Sequence, residues 1–213
     1  MGHKTLRFFL WPIYYRIFKK RIKNQKEIPD ELIKKLIYAW GNQGFSAKTE
    51  YLQACLKIAR QCNKPILECG SGLTTVLVGE IAKQRKIPVY SLENNENWYL
   101  RVKKMLDKNE LIYSKLLFRP TTAYENFEWY ETKETHFPKF ELVICDGPHH
   151  SNLGGRIGLF PLMKDHFSKG TKILVDDTIR DGDRKMIQEW EKYHRMKKVF
   201  KGVENPFASL ELI

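Results

Sequence analysis

Short apolar runs alternate with polar segments of helical character along most of the chain, from Pro65 to the last residue. Strand-length runs separated by helix-length segments predict an α/β fold, with a Rossmann-like, doubly wound sheet and helices on both faces. The link VENP between the last two runs is too short for a helical crossover, so these strands should form a C-terminal antiparallel hairpin. The expected seven-stranded sheet is made of the runs PILEC, PVYSLE, KLLFR, FELVIC, TKILV, KKVFKG and FASLELI.

The chain before this α/β domain, which spans residues 65–213, divides into two parts. Residues 27–64 form a helical lead-in of two stretches with apolar residues at helical spacing, separated by a break at residues 41–44. Ser46 is a candidate cap for the second helix. Residues 1–26 form a basic, aromatic N-terminal arm.

The arm carries most of the positive charge. Of a formal net charge of +12 for 213 residues, eight positive charges and no acid lie in residues 1–26. Its apolar run is interrupted by arginines and falls short of the roughly 20 residues that a membrane span needs, and no signal-peptide cleavage site follows it. Two interpretations remain open. The arm either makes peripheral contact with an anionic membrane surface or packs on the domain as a helix with a solvated basic face.

The cysteines favour a reducing, cytoplasmic environment. They contain no C-x-x-C pair, and two of the four lie in apolar runs, where cysteine behaves as a small hydrophobic residue. The sequence therefore predicts neither disulfides nor zinc. It predicts a cytoplasmic protein, with membrane association if the arm is interfacial.

The first strand leads into the loop ECGSGLTT, where Gly70 and Gly72 allow a sharp turn and a close approach to a ligand. Dinucleotide loops have a third glycine where this chain has Thr75, and no anion at the position of Glu68. A carboxylate there suits a cationic ligand. Because Glu93 ends the second strand, where an acid can bind both hydroxyls of a ribose, the pattern indicates S-adenosylmethionine, a ligand with a ribose, a positive charge and no phosphate.

At these motifs the chain resembles the class I S-adenosylmethionine-dependent methyltransferases, over roughly residues 38–213. ILECGSGLTT looks like their first motif, SLENN like their second and ICDGPHH like their fourth, and the terminal hairpin matches their reversed last strand. The resemblance implies glycines and Ser71 against the methionine moiety, Glu68 near its ammonium, Glu93 and Asn94 on the ribose, and Asp146 beside the cofactor. Trp40, Gly41 and Asn42 are candidates to close over it, although a helix break explains them equally well.

Three acids end the fourth and fifth strands: Asp146 the fourth, and Asp176 and Asp177 the fifth. Neighbouring carboxylates repel each other and raise each other's pKa unless a cation neutralises them, and oxygen ligands favour magnesium or another hard divalent ion over zinc. A plain turn at Asp177 is the alternative. The sequence therefore predicts a divalent metal held by these three acids.

The same residues are similar to the metal sites of catechol-type and macrolide-sugar O-methyltransferases, whose D-G-x-H motif supplies a metal ligand and a general base. This resemblance implies Asp146 and His149 as catalytic residues. An imidazole with a pKa of about 6.5 can deprotonate a hydroxyl near neutral pH. Pro148 and the second histidine, His150, depart from the motif and leave the choice of imidazole open.

The acceptor is expected to be a small molecule, a sugar or a glycan precursor, with an acidic group. Arg156, Arg180 and His150 are candidate substrate-binding residues, since arginine suits planar carboxylates and glucuronate methyltransferases look similar in having an arginine at the place of Arg156. Two rival functions are an RNA methyltransferase and a non-catalytic, membrane-associated scaffold with the same fold. Nucleic acid is disfavoured because the charge is concentrated in the arm and no N-P-P-Y motif follows the fourth strand.

Overall fold

A computed structural model describes residues 3–42, 46–133, 135–203 and 205–213. Gln43 and Gly44, in the predicted helix break, and Glu204, in the predicted hairpin link, lie outside these ranges. The helices in the described ranges are α1 His3–Lys23, α2 Asp30–Trp40, α3 Thr49–Ala59, α4 Leu73–Arg85, α5 Glu96–Lys108, α6 Leu159–Met163 and α7 Asp181–Trp190. The strands are β1 Ile66–Cys69, β2 Val89–Glu93, β3 Ser114–Phe118, β4 Thr121–Ala123, β5 Glu128–Tyr130, β6 Leu142–Cys145, β7 Lys172–Val175, β8 Met196–Lys201 and β9 Phe207–Leu212.

The predicted seven-stranded sheet is confirmed, with strand order β3-β2-β1-β6-β7-β9-β8. The first five of these strands pair in parallel. The hairpin prediction is also confirmed: β9 lies between β7 and β8 and is antiparallel to both. The strand order reverses between β1 and β6, so their carboxyl ends flank the crevice where ligands bind in open sheets of this kind.

Alternate residues of the central strands face two different apolar layers. Leu142 and Ile144 of β6 belong to a core shared with helices α1 to α5, whereas Val143 and Cys145 belong to a core that includes α6 and α7. This division follows from the two-residue period of a strand buried on both faces. It confirms that helices cover both sides of the sheet.

Helix α1 packs on the domain through one face. Trp11, Tyr15, Phe18 and Ile22 are buried in the first core, and the Tyr15 hydroxyl donates a hydrogen bond to Oε2 of Glu80 at 3.0 Å. The packed-helix interpretation of the arm is therefore confirmed for this face. In the part of the chain that the structure describes, no helix combines the length and the apolar character needed to cross a bilayer.

One local expectation is wrong, and two other segments fold in ways that the apolar pattern does not predict. Ser46 does not cap α3: that helix begins after Lys48, and the Ser46 hydroxyl donates to the carbonyl of Asn42 at 2.7 Å. The segment after the histidines forms turns through Gly154 and Gly155, both at positive φ, so the short helix α6 begins only at Leu159. The segment between β3 and β6 contains the antiparallel hairpin β4–β5, which forms a two-stranded sheet separate from the main one.

Candidate functional site

The carboxyl ends of β1, β2, β6 and β7 meet at one edge of the sheet, where a cleft of about 1010 Å³ opens. Because parallel strands all end at the same edge, residues far apart in sequence are brought together there. All but one of the residues predicted to contact the cofactor, bind a metal, act as the base or bind the acceptor line this cleft: Gly70, Ser71, Gly72, Glu93, Asn94, Asp146, His149, His150, Arg156, Asp176, Asp177 and Arg180. The exception is Glu68.

Two glycines pack back to back on the floor of the cleft. Gly70 has φ +86°, and a Cβ on it would lie 2.8 Å from the amide nitrogen of Gly147. A Cβ on Gly147 would lie 2.9 Å from Cα of Gly70 and would collide with the hydroxyl of Tyr130. The loops after β1 and β6 can touch only because neither residue has a side chain.

Thr75, which stands where a dinucleotide loop has glycine, lies in the first turn of helix α4. Its hydroxyl accepts a hydrogen bond from the amide of Gly72 at 2.8 Å, and its side chain is buried. This bond satisfies one of the amide groups that a helix leaves free at its N-terminus. The threonine that replaces the third glycine of a dinucleotide motif therefore helps to cap the N-terminus of α4.

Glu93 joins the loops that follow β1 and β2. Its Oε2 accepts hydrogen bonds from the amide and hydroxyl of Ser71 at 3.0 and 2.7 Å, and its Oε1 accepts one from the amide of Asn95 at 2.8 Å. Asn95 in turn caps α5 by accepting from the amide of Trp98 at 2.9 Å. An ionised carboxylate can accept about four hydrogen bonds, so Glu93 keeps capacity for a ligand hydroxyl in the cleft.

Glu68 lies beneath the glycine loop, with only 1% of its surface exposed. The hydroxyl of Ser91 donates to its Oε2 at 2.6 Å, whereas Oε1 has no hydrogen-bond partner among the described residues. Burial away from water disfavours the charged form and raises the pKa of Glu68 to about 8. This position places Glu68 behind the loop, where contact with a ligand in the cleft would be indirect.

The three acids at the ends of β6 and β7 are held by two arginines and by amide groups. Nη2 of Arg156 lies 3.6 Å from Oδ1 of Asp146, and its Nη1 donates to the carbonyl of Asp176 at 2.5 Å. Arg180 forms an ion pair with Asp177 at 2.5 Å. The Asp176 carboxylate accepts hydrogen bonds from the amide of Asp177 at 2.9 Å and from the side chain of Asn205 at 3.3 Å.

This arrangement does not fit the predicted divalent metal. Each of the three carboxylates already has a cationic or amide partner, and within the described ranges no group of three or more His, Cys, Asp and Glu side chains is placed to hold a metal ion. Burial and the neighbouring Asp146 together raise the pKa of Asp176 to about 7, and Arg156 opposes this shift. The positive charge that these acids require is therefore supplied by guanidinium groups from the chain itself.

The two histidines form a contact pair on the wall of the cleft, with ring centroids 4.0 Å apart. The amide of Ser151 donates to Nδ1 of His149 at 3.3 Å, and the Ser151 hydroxyl lies 2.8 Å from the same atom. The donated amide bond places the ring proton of neutral His149 on Nε2. Partial desolvation lowers the pKa of His149, and the nearby His150 and Arg180 lower it further, so this ring is neutral at physiological pH.

One wall of the cleft is aromatic and was only partly predicted. The guanidinium of Arg101 lies 4.8 Å from the ring centroid of Trp40 and 4.6 Å from that of Trp98. The indole nitrogen of Trp98 donates to the carbonyl of Ser71 at 2.5 Å, which ties this wall to the glycine loop. Trp40 and Asn42 line the cleft as the sequence suggested, but Trp98 and Arg101 were missed. The signal for them was their spacing of three residues on the helix that begins at Glu96, shortly after the end of β2.

Searches for similar proteins place the fold. An O-methyltransferase from Bacillus cereus in complex with S-adenosylhomocysteine is similar over 92% of this chain and 96% of its own, with a TM-score of 0.60 and 12% identity. A Podospora anserina methyltransferase bound to S-adenosylhomocysteine covers 94% of this chain and 88% of its own, at TM-score 0.59 and 17% identity. A Geobacter metallireducens precorrin-6y C5,15-methyltransferase covers 81% and 95%, at TM-score 0.53 and 13% identity.

The chain therefore has the Rossmann-like fold of class I S-adenosylmethionine-dependent methyltransferases. At identities this low the likeness establishes the fold alone. No protein-family model matches the sequence, and the search of curated proteins returned no match.

Proposed function

We propose that this protein is an S-adenosylmethionine-dependent methyltransferase that methylates a hydroxyl group. The observation that carries the proposal is the position of Glu93, a carboxylate at the end of β2 that faces the same cleft as the glycine loop after β1. In a Rossmann-like sheet this is where an acid binds the hydroxyls of a ribose. Two of the similar structures contain S-adenosylhomocysteine, which supports the same cofactor here.

The proposed ligand fits the charges on the cleft floor. The amide and the hydroxyl of Ser71 both donate to Glu93, so these groups are not free to bind a phosphate. S-adenosylmethionine carries no phosphate and therefore does not need such a site. Trp40 and Trp98 both line the cleft, and we expect the base of the cofactor to pack against this aromatic wall. The methionine end would then lie over Gly70, next to Asp146 and the histidine pair.

The residues of the chain have to remove a proton from the acceptor. The cofactor supplies a methyl group on a sulfonium, which is a good leaving group, so alignment and deprotonation are the remaining requirements. A neutral imidazole takes the hydroxyl proton as the acceptor oxygen forms its bond to the methyl carbon. The lowered pKa of His149 keeps its ring neutral and able to accept a proton.

The hydrogen bonds in the cleft bear on which imidazole is the base. Because Ser151 donates to Nδ1 of His149, the Nε2 atom of that ring carries the proton and would have to exchange partners before acting as a base. Ser151 contacts the ring nitrogen of His149 and not that of His150, whose ring lies against His149. Because the ring of His149 is held by Ser151, the arrangement favours His150 as the base.

We further propose that the reaction needs no divalent ion. The buried Arg156 places a cation 3.6 Å from Asp146, one of the acids that would have to bind a metal. The acidic-acceptor proposal rests on Arg180, which is about one-third exposed but is paired with Asp177 and Asp183. A carboxylate of the acceptor would bind there by exchanging with one of these partners.

Calorimetric titration with S-adenosylmethionine tests the cofactor directly. We expect micromolar binding, weakened at least about tenfold by Glu93→Ala because the ribose loses its acceptor. Glu96→Ala, at the exposed first turn of α5, is the matched control and should bind as the wild type does. Absence of binding by the wild-type protein would overturn the proposed function.

The catalytic step is tested with radiolabelled cofactor and a panel of uronic acids, neutral sugars and phenols. Removing the base should lower turnover about 100-fold or more while the cofactor affinity stays unchanged. His149→Ala and His150→Ala are compared with the same acceptor, and the larger loss identifies the base. Full activity of both variants would contradict proton transfer to this pair.

A further inference from the structure

The outward face of helix α1 is apolar, although the helix already has a buried apolar face. Leu6, Phe9, Ile13 and Ile17 are 53%, 64%, 54% and 43% exposed. Their spacing of three and four residues places them in one stripe along the helix. Trp11, Tyr15, Phe18 and Ile22 lie on the opposite side, in the core.

Positive charge borders this outward stripe. Arg16, Lys20 and Lys23 are exposed on the same half of the helix, and residues 1–26 contain no acid. An apolar stripe flanked by lysine and arginine is the pattern of a helix that lies in the interface of an anionic bilayer, with its long basic side chains reaching the headgroups. A solvated surface helix would not gain from four exposed large apolar side chains.

We propose that the outward face of α1 binds the surface of a membrane that contains anionic lipids. Charge complementarity favours this occupant over a second copy of the chain. A symmetric dimer through this face would place the basic flanks of the two helices against each other, whereas anionic headgroups neutralise them. The apolar stripe likewise favours lipid over nucleic acid, because phosphate contacts alone would leave the stripe in water.

The position of α1 connects this surface to the cleft. The indole of Trp11 lies 5.3 Å from that of Trp40, and Trp40 lines the cleft. A membrane-bound α1 would therefore contact, through Trp11, a residue that lines the cleft. This inference does not depend on the proposed methyl transfer.

Vesicle sedimentation with the full-length protein tests the proposal. The vesicles are phosphatidylcholine alone or equal parts of phosphatidylcholine and phosphatidylglycerol. We expect binding only to the anionic vesicles and weaker binding as salt is added, because exposed charges are screened. Absence of binding at low salt would overturn the proposal.

Two pairs of variants separate the apolar and electrostatic contributions. The double variant Phe9→Ser with Ile13→Ser should lower binding about tenfold or more, while Ile112→Ser, at a residue 77% exposed elsewhere on the surface, should leave it unchanged. Lys20→Glu should lower binding about tenfold, and Lys104→Glu on the exposed side of α5 should not. Equal effects of Lys20→Glu and Lys104→Glu would mean that general basicity binds the vesicles, and equal effects of the serine variants would mean that the apolar contact is not specific to α1. Either result would overturn the assignment to α1.

The other occupants of this face give distinct results. Sedimentation equilibrium measures whether the protein forms a dimer. A dimer that dissociates in the Phe9→Ser with Ile13→Ser variant, found together with no vesicle binding, would assign the face to self-association and overturn the proposal. Binding to RNA without binding to vesicles would overturn it as well. Circular dichroism and thermal unfolding of each variant establish that the fold is retained.

Discussion

Replacing Glu68 by glutamine should remove a pH-dependent loss of stability. The carboxyl group is 1% exposed, and one of its oxygens has no hydrogen-bond partner among the described residues. Burial raises its pKa from the ordinary value of 4.5 to about 8. The folded protein therefore keeps a proton on Glu68 at neutral pH that the unfolded chain releases.

The sign and size of the effect follow from this difference. Between about pH 4.5 and about pH 8 the folded state binds more protons than the unfolded state, so the free energy of unfolding falls as the pH rises. At about 1.4 kcal/mol per pH unit across that window, the upper limit of the loss is about 5 kcal/mol. For a chain of this size, each kcal/mol corresponds to about 2–4 °C in the melting temperature.

Urea unfolding of the ligand-free protein, followed by circular dichroism from about pH 5 to about pH 8.5, measures the effect. Glutamine has the shape of glutamate and can still accept the hydrogen bond from Ser91, but it does not ionise. We expect Glu68→Gln to gain stability relative to the wild type as the pH rises. Glu125→Gln, at an exposed position, is the control and should follow the wild-type curve. Parallel curves for wild type and Glu68→Gln would show that the buried carboxyl is not protonated in the folded state.

Three further predictions concern the loop, the metal and the arm. Gly70→Ala should destabilise the protein by more than about 1 kcal/mol and weaken cofactor binding, because its Cβ would enter the loop at Gly147; unchanged melting and titration curves would contradict this. Chelation with EDTA should leave the initial rate of methyl transfer unchanged, whereas a loss of activity that magnesium restores would return the metal to the mechanism. Phe18→Ala, which empties a fully buried position, should cost about 3–5 kcal/mol in urea unfolding, while the exposed Phe9→Ala should cost little. Similar losses for the two phenylalanines would refute the orientation of α1.

The sequence by itself determined the sheet and the residues at its carboxyl edge. Buried parallel strands are short, continuous apolar runs, and this signal is local, so the parallel strands of the main sheet could be predicted from the sequence. The antiparallel pair β8–β9 followed from the short link between its two runs. The acids and glycines that follow these runs had to meet at one edge, because parallel strands all end there. The placement of Glu93, Asp146 and His149 in one cleft followed without any knowledge of packing.

Only the tertiary structure decided what those residues contact. The sequence predicted a metal ion beside Asp146, but the cation found there is Arg156. This arginine lies in a series of turns after β6. The local sequence around Gly147 does not show that its missing side chain is required by the loop at Gly70. Both relationships join segments that are distant in sequence, and long-range packing of this kind leaves no periodic pattern in either segment alone.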